Sequence, residues 1–268
     1  MDIFLITASL GLFVGLVLAF TGAGGSILAI PLLALFLDMS MTEAAPIALF
    51  AVLITSIVAT IHGLYTKIVR YRAAMVIGVF GILFAPVGVW LTQYLSNQLL
   101  SIFFAFVLIY VATNMWLQTI EAAQISLSKP LPACAVNPTT SKLFWTAPCT
   151  KRLVATGSVA GFLAGLLGVG GGFVIVPTLT KVTNLEMRSI VATSLAVTAL
   201  VSGVSLIVYS KQYVVNVEVA IIFAITTLIG MLASKTFSHR VSNKNIQRGF
   251  AIFAYLMAIT MMVSVAMP

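Results

Sequence analysis

The chain has 268 residues, is 61% hydrophobic and only 7% charged, and has a mean hydropathy of +1.15. A soluble domain carries roughly 25% charged residues, so these proportions exclude a water-facing globular surface and indicate an integral membrane protein. The net charge of +8 is read as basic loops that set membrane orientation rather than as a nucleic-acid footprint.

The opening MDIFLITASL has an acid and no basic n-region, which argues against a cleaved signal peptide. A first apolar block, 3–37, is interrupted by TGAGGSILAIP, Thr21 to Pro31. Three ordinary blocks follow at about 43–64, 73–95 and 98–118. Segment 119–151 carries Pro130, Pro132, Pro138 and Pro148 and is the one clear linker. Its two cysteines, Cys134 and Cys149, make neither a disulfide framework nor a metal-ligand spacing and are expected to be incidental thiols. A second long block, 153–182, contains LGVGGGFVIVP, Leu167 to Pro177, and three more ordinary blocks lie at about 188–209, 216–234 and 246–266. Continuous runs near 20 residues fit helical spans and lack the alternation of a β-barrel, so the expected fold is an all-α polytopic membrane protein.

The two halves are repeats. Gly22, Gly24, Gly25 and Pro31 fall on Gly168, Gly170, Gly171 and Pro177 at a constant offset of 146, with Gly11 and Gly15 on Gly157 and Gly161. Tyr65-Thr66-Lys67 matches Tyr209-Ser210-Lys211 at offset 144. The expected organisation is a first repeat, 1–118, the linker 119–151, and a second repeat, 152–268.

Each long block would rise about 45–50 Å as one helix, against a hydrocarbon core of about 30 Å. Each could cross once, giving eight spans, or fold into a re-entrant hairpin, giving six. Cytoplasmic loops carry the lysine and arginine excess. Single crossings split the basic residues 8 to 6, whereas hairpins place 13 on one side and only Lys211 on the other. Hairpins are therefore expected, making two inverted repeats, each a broken hairpin plus three transmembrane helices. The linker is expected in the cytoplasm and both termini outside it. The first arms, 3–20 and 153–167, exceed a half-membrane helix, so tilt or bending at Gly11, Gly15, Gly157 and Gly161 is expected.

Irregular backbone at membrane depth is tolerated only where it is buried in protein or lines a cavity. Glycines admit tight turns and close ligand approach, and the helix after each cluster presents unpaired N–H groups and the positive end of its dipole. Two such ends make an anion site without a buried cation. Candidate residues are Thr21, Gly22, Gly24, Gly25 and Ser26 in the first half, and Gly168, Gly170, Gly171, Gly172, Thr193 and Ser194 in the second. Thr55, Ser56 and Thr198 are further hydroxyls near the site, and Pro31 and Pro177 are expected to shape the short helices. His62 lies near the cytoplasmic end of its span, where packing or snorkelling is the expected role over proton transfer.

The doubled G-x-G-G-[GS]-x-x-x-[IV]-P pattern, Gly22 to Pro31 and Gly168 to Pro177, resembles the sulfite exporter TauE/SafE family. Ala192-Thr193-Ser194-Leu195 is similar to that family's second half, while its counterpart around Ala48 to Ala51 lacks the Thr-Ser pair. The resemblance implies a secondary transporter of sulfite or small organosulfur anions such as sulfoacetate in the inner (cytoplasmic) membrane. A proton or another ion is the candidate coupling species. The alternative is a channel of aquaporin-like architecture, although the one Asn-Pro, Asn137-Pro138, lies in the linker. The six acids sit almost all at span ends and offer no acid–base pair or metal cluster, so no enzyme, metal or cofactor is expected.

Overall fold

The computed structural model describes residues 2–21, 24–121, 134, 146–237 and 243–266. They form ten α-helices: α1 (Asp2–Thr21), α2 (Gly24–Phe36), α3 (Met41–Tyr65), α4 (Tyr71–Thr92), α5 (Asn97–Glu121), α6 (Ala147–Leu167), α7 (Gly172–Val182), α8 (Met187–Gln212), α9 (Val217–Phe237) and α10 (Asn243–Ala266). Five of them, α3, α4, α5, α8 and α9, contain stretches long and apolar enough to cross a membrane. Local chemistry fixes several boundaries. Ser40 and Glu43 form a capping box at the start of α3, the Thr146 side chain caps α6, and Gly168 ends α6 with a left-handed φ of 71°.

Each over-long block is one full-length helix followed by a short one. α1 and α6 have 20 and 21 residues, a rise of about 30 Å, while α2 and α7 have only 13 and 11. The short helix folds back on the long one: Gly25 lies against the backbone of Leu18, and Gly171 against Ala160 and Ala164.

Both α1 and α6 run through their glycines as single helices. Those glycines serve close packing. Gly157, Gly161 and Gly165 of α6 lie against Ile77, Gly81 and Ala85 of α4, a constant spacing of 80 residues that makes the pair parallel. Gly11 and Gly15 of α1 meet Phe223, Thr226, Thr227 and Met231 of α9, again in parallel. Small residues every fourth position let backbones approach closely where no hydrophobic effect drives helices together. α3 and α8 run antiparallel, with Gly63 beside Ala192 and Leu53 beside Gly203. Exchanging α1–α5 for α6–α10 turns the α4–α6 pair into α9–α1 and α4–α8 into α9–α3, while α3–α8 and α5–α10 map onto themselves.

Charge divides the bundle into two ends. Ser189 donates to the carbonyl of Ile68, Arg70 N–H donates to Thr193, and Lys181 Nζ donates to Asn114. These contacts gather the α3–α4 and α7–α8 loops and the end of α5, and Arg152 at the start of α6 lines a cleft with Lys181 and Asn114; this end thus holds Lys67, Arg70, Arg72, Lys151, Arg152, Lys181 and Arg188 against Glu186. The opposite end holds Asp38, Glu43, Glu218 and Lys211.

The two cysteines are not incidental thiols: Cys134 and Cys149 form a disulfide with a Cα–Cα distance of 5.0 Å. The backbone N–H of Cys134 donates to the carbonyl of Val182 at 3.0 Å, and Cys134 pairs with Thr183 in an isolated parallel bridge. That docking brings Cys134 beside the first turn of α6. The crosslink therefore ties the far end of α7 to the start of α6, closing the base of the second hairpin.

Candidate functional site

The second glycine cluster sits between α3 and α8. Gly168, Gly170 and Gly171 all have φ of 71°, a region that costs other residues roughly 1–2 kcal/mol. After a last helical bond from the Gly168 N–H to the Ala164 carbonyl at 2.8 Å, this allows Gly168 to Gly171 to turn the chain from α6 into α7. The tip lies well towards the acidic end, because Gly168 touches Ala45 near the start of α3 and Tyr209 OH reaches the carbonyl of Leu166 at 3.5 Å. From there the chain descends to Gly170, whose α-carbon faces Val52, Thr198 and Ser202; a β-carbon at Gly170 would lie 2.7 Å from Ser202 Oγ.

The hydroxyls around this turn fall into two groups. Most helical serines and threonines donate to their own helix, as expected in apolar surroundings: Thr55 to Ala51, Thr156 to Arg152, Thr178 to Val174 and Thr227 to Phe223. Ser56, Ser194, Thr198, Ser202 and Ser205 are fully buried, and their oxygens have no hydrogen-bond partner. Four of these are on α8 at i, i+4, i+8 and i+11, which places them on one helix face. The register of α3 against α8 puts Ser56 level with residues 199–200. A buried hydroxyl without a partner costs about 1–3 kcal/mol, so this row is a polar seam along an otherwise apolar interface.

The start of α7 adjoins the seam. Its N-cap is Gly171, and no side chain caps it. The first hairpin differs: Thr21 accepts from the N–H of Gly25 at 3.1 Å while donating to the carbonyl of Val17. Thr21 is thus a cap, and the equivalent position in the second half is Leu167, which has no hydroxyl to offer.

The remaining candidates are divided. Gly22 lies outside the described residues, Gly24 opens α2, Ser26 is fully buried and Gly172 opens α7. Thr193 and Ser194 point different ways. Thr193 donates to Ser189 and accepts from Arg70, holding the α3–α4 loop at the basic end, while Ser194 joins the seam. Pro31 and Pro177 lie inside α2 and α7 and remove the N–H that would bond Ile27 and Phe173. His62 is exposed in the last turn of α3, at the basic end. Ser202 and Ser205 were not singled out from the sequence, although they continue the spacing begun at Ser194 and Thr198. Among the described residues no cluster of three metal-ligating side chains occurs.

Comparison with known proteins agrees with this architecture. A protein of Methanocaldococcus jannaschii described as a probable membrane transporter is 25% identical over 252 residues, covering 88% of this chain and 87% of the relative. The probable membrane transporter YunE of Bacillus subtilis is 25% identical over 203 residues, 72% of each chain. A probable membrane transporter of Xylella fastidiosa is 26% identical over 230 residues, covering 84% of this chain and 81% of its own. The profile of the sulfite exporter TauE/SafE family matches residues 7–261. The chain belongs to the sulfite exporter TauE/SafE family and is a membrane transporter rather than an enzyme.

Proposed function

We propose that this transporter carries small sulfur-containing oxyanions, such as sulfite, sulfoacetate or related organosulfonates, by alternating access around the seam. The observation that carries the reading is the row Ser194, Thr198 and Ser202, buried without partners beside Gly170 and the uncapped start of α7. Hydroxyl donors and helix-terminal N–H groups can replace the hydration of an oxyanion, and a neutral site releases the ion more readily than a buried cation would. Complete burial of these hydroxyls supports an occluded carrier over an open pore. The halves 1–118 and 152–268 act as inverted repeats, a reading supported by the antiparallel α3–α8 pair. The basic end, with the linker 119–151, faces the cytoplasm, following the charge bias. The termini are extracytoplasmic.

Proteoliposomes loaded with or without a pH gradient and offered labelled sulfite, thiosulfate, sulfate and sulfoacetate test the proposal. Saturable uptake of sulfite or a sulfonate is expected, with stimulation by the gradient if protons are the coupling ion. Linear flux accompanied by water permeability would replace the carrier with a channel.

A further inference from the structure

At the basic end a cleft of about 360 Å³ opens between α5, α6 and α7. Arg152, in the second turn of α6, and Lys181, in the last turn of α7, both line it, together with Tyr110 and Asn114 of α5. No carboxylate lines the cleft. Asn114 donates to the carbonyl of Tyr110 at 3.1 Å and accepts from Lys181 Nζ at 3.4 Å, which holds the ammonium at the cleft wall. Of the three hydroxyl side chains in the lining, Thr156 and Thr178 already donate to the Arg152 and Val174 carbonyls. The Tyr110 phenol therefore stands beside the two cationic groups as a donor to the space.

Basic residues at this end are expected from topology alone, and Lys151 and Arg188 need no other explanation. Arg152 and Lys181 are different because they converge on one concavity from two helices. The duplication offers a control. The positions 146 residues earlier are Ile6 and Leu35, and those matching Thr156 and Thr178 are Leu10 and Leu32. These four positions carry no charge in the first half, so the fold does not require charge here. The cleft also shares Tyr110, Asn114 and Pro177 with a small cavity of about 20 Å³ that reaches Thr21 and Phe173.

We propose that this cleft is a second oxyanion site, in which Arg152 and Lys181 clamp a tetrahedral phosphate- or sulfonate-type group at the basic mouth of the protein. A free anion and the headgroup of an acidic phospholipid present the same chemistry to this pair. Guanidinium and ammonium groups form charge-assisted hydrogen bonds with such oxygens.

The test is binding, not transport, so it stands or falls separately from the seam. Protein purified in a neutral detergent is titrated calorimetrically with inorganic phosphate, and separately with short-chain phosphatidylglycerol or phosphatidylcholine. Binding of phosphate that weakens at least about tenfold in Arg152→Gln and in Lys181→Gln identifies a free-anion site. Binding of phosphatidylglycerol but not phosphatidylcholine, weakened in the same variants, identifies a lipid site. Arg152→Lys, which keeps the charge, retains most of the affinity, and unchanged melting temperatures exclude misfolding as the cause. If neither probe binds the unmodified protein, or if the Gln variants bind like it, the proposal is overturned.

Discussion

Gly170 and Ser202 are so close that the glycine's missing side chain defines the space in front of the serine: a β-carbon there would lie 2.7 Å from Ser202 Oγ and 2.9 Å from the methyl of Thr198. The same glycine has a φ of 71°. Gly170→Val therefore meets backbone strain of about 1–2 kcal/mol and fills the space facing the seam. Loss of uptake with normal membrane insertion is the expected result. Gly249, with nothing within 4 Å of its would-be β-carbon, supplies the control, and Gly249→Ala is expected to transport normally.

Removing the seam hydroxyls separates binding from stability. Because Ser202 Oγ has no partner, Ser202→Ala removes an unsatisfied group and is expected to leave stability unchanged or raise it by about 1 kcal/mol. If the hydroxyl bonds the anion, KM rises by roughly tenfold, the equivalent of one charge-assisted hydrogen bond. Thermal melting in detergent and concentration-dependent uptake measure the two effects. A lowered melting temperature together with lost uptake would mean that the hydroxyl supports the fold instead.

The α4–α6 contact predicts the opposite pattern. A β-carbon at Gly161 would overlap the backbone of Gly81, and backbone cannot move aside as a side-chain tip can. Gly161→Val is expected to destabilise the protein by about 3 kcal/mol, seen as aggregation on size exclusion or a lowered melting temperature, whatever the substrate.

Orientation is measurable at two exposed loops. In a background with both native cysteines replaced by serine, Val214→Cys, at a site 93% exposed, is expected to react with an impermeant maleimide in intact cells. Asn184→Cys, in the α7–α8 loop, is expected to react only after permeabilisation. The reverse pattern would invert the assignment of the basic end.

The disulfide gives a prediction of its own. Cysteines 15 residues apart close a loop whose crosslink is worth about 3 kcal/mol by chain-entropy estimates. Both are fully buried, which would shield them from reductants with the basic end in the cytoplasm, as proposed, where disulfides are uncommon. Denatured protein is expected to show no alkylatable thiol until reduced and two afterwards. Cys149→Ser is expected to lower the melting temperature.

The break in each long block was legible because two independent signals coincide at residues 21–31 and 167–177: a glycine cluster and a block too long for one span. The seam was half legible. Ser194, Thr198 and Ser56 stand out as hydroxyls in apolar runs, but composition cannot say which faces the interior. Adjacent residues on a helix point about 100° apart, and that angle separates Ser194 from Thr193, whose hydroxyl serves Arg70 instead. Gly11, Gly15, Gly157 and Gly161 were visible as glycines, yet a bend and a packing surface have the same sequence. The disulfide was not legible, because Cys134 reaches Cys149 by docking on Val182 and Thr183, far along the chain.

The parallel pairing of α1 with α9 and of α4 with α6 bears on how the protein is made. Each half supplies the partner that the other half's glycine face needs. The partner that packs against the glycines of α1 lies in α9, and the one that packs against α4 lies in α6. Both close contacts therefore form only once helices from beyond the linker are in place. Neither α1–α5 nor α6–α10 can seal these glycine faces alone.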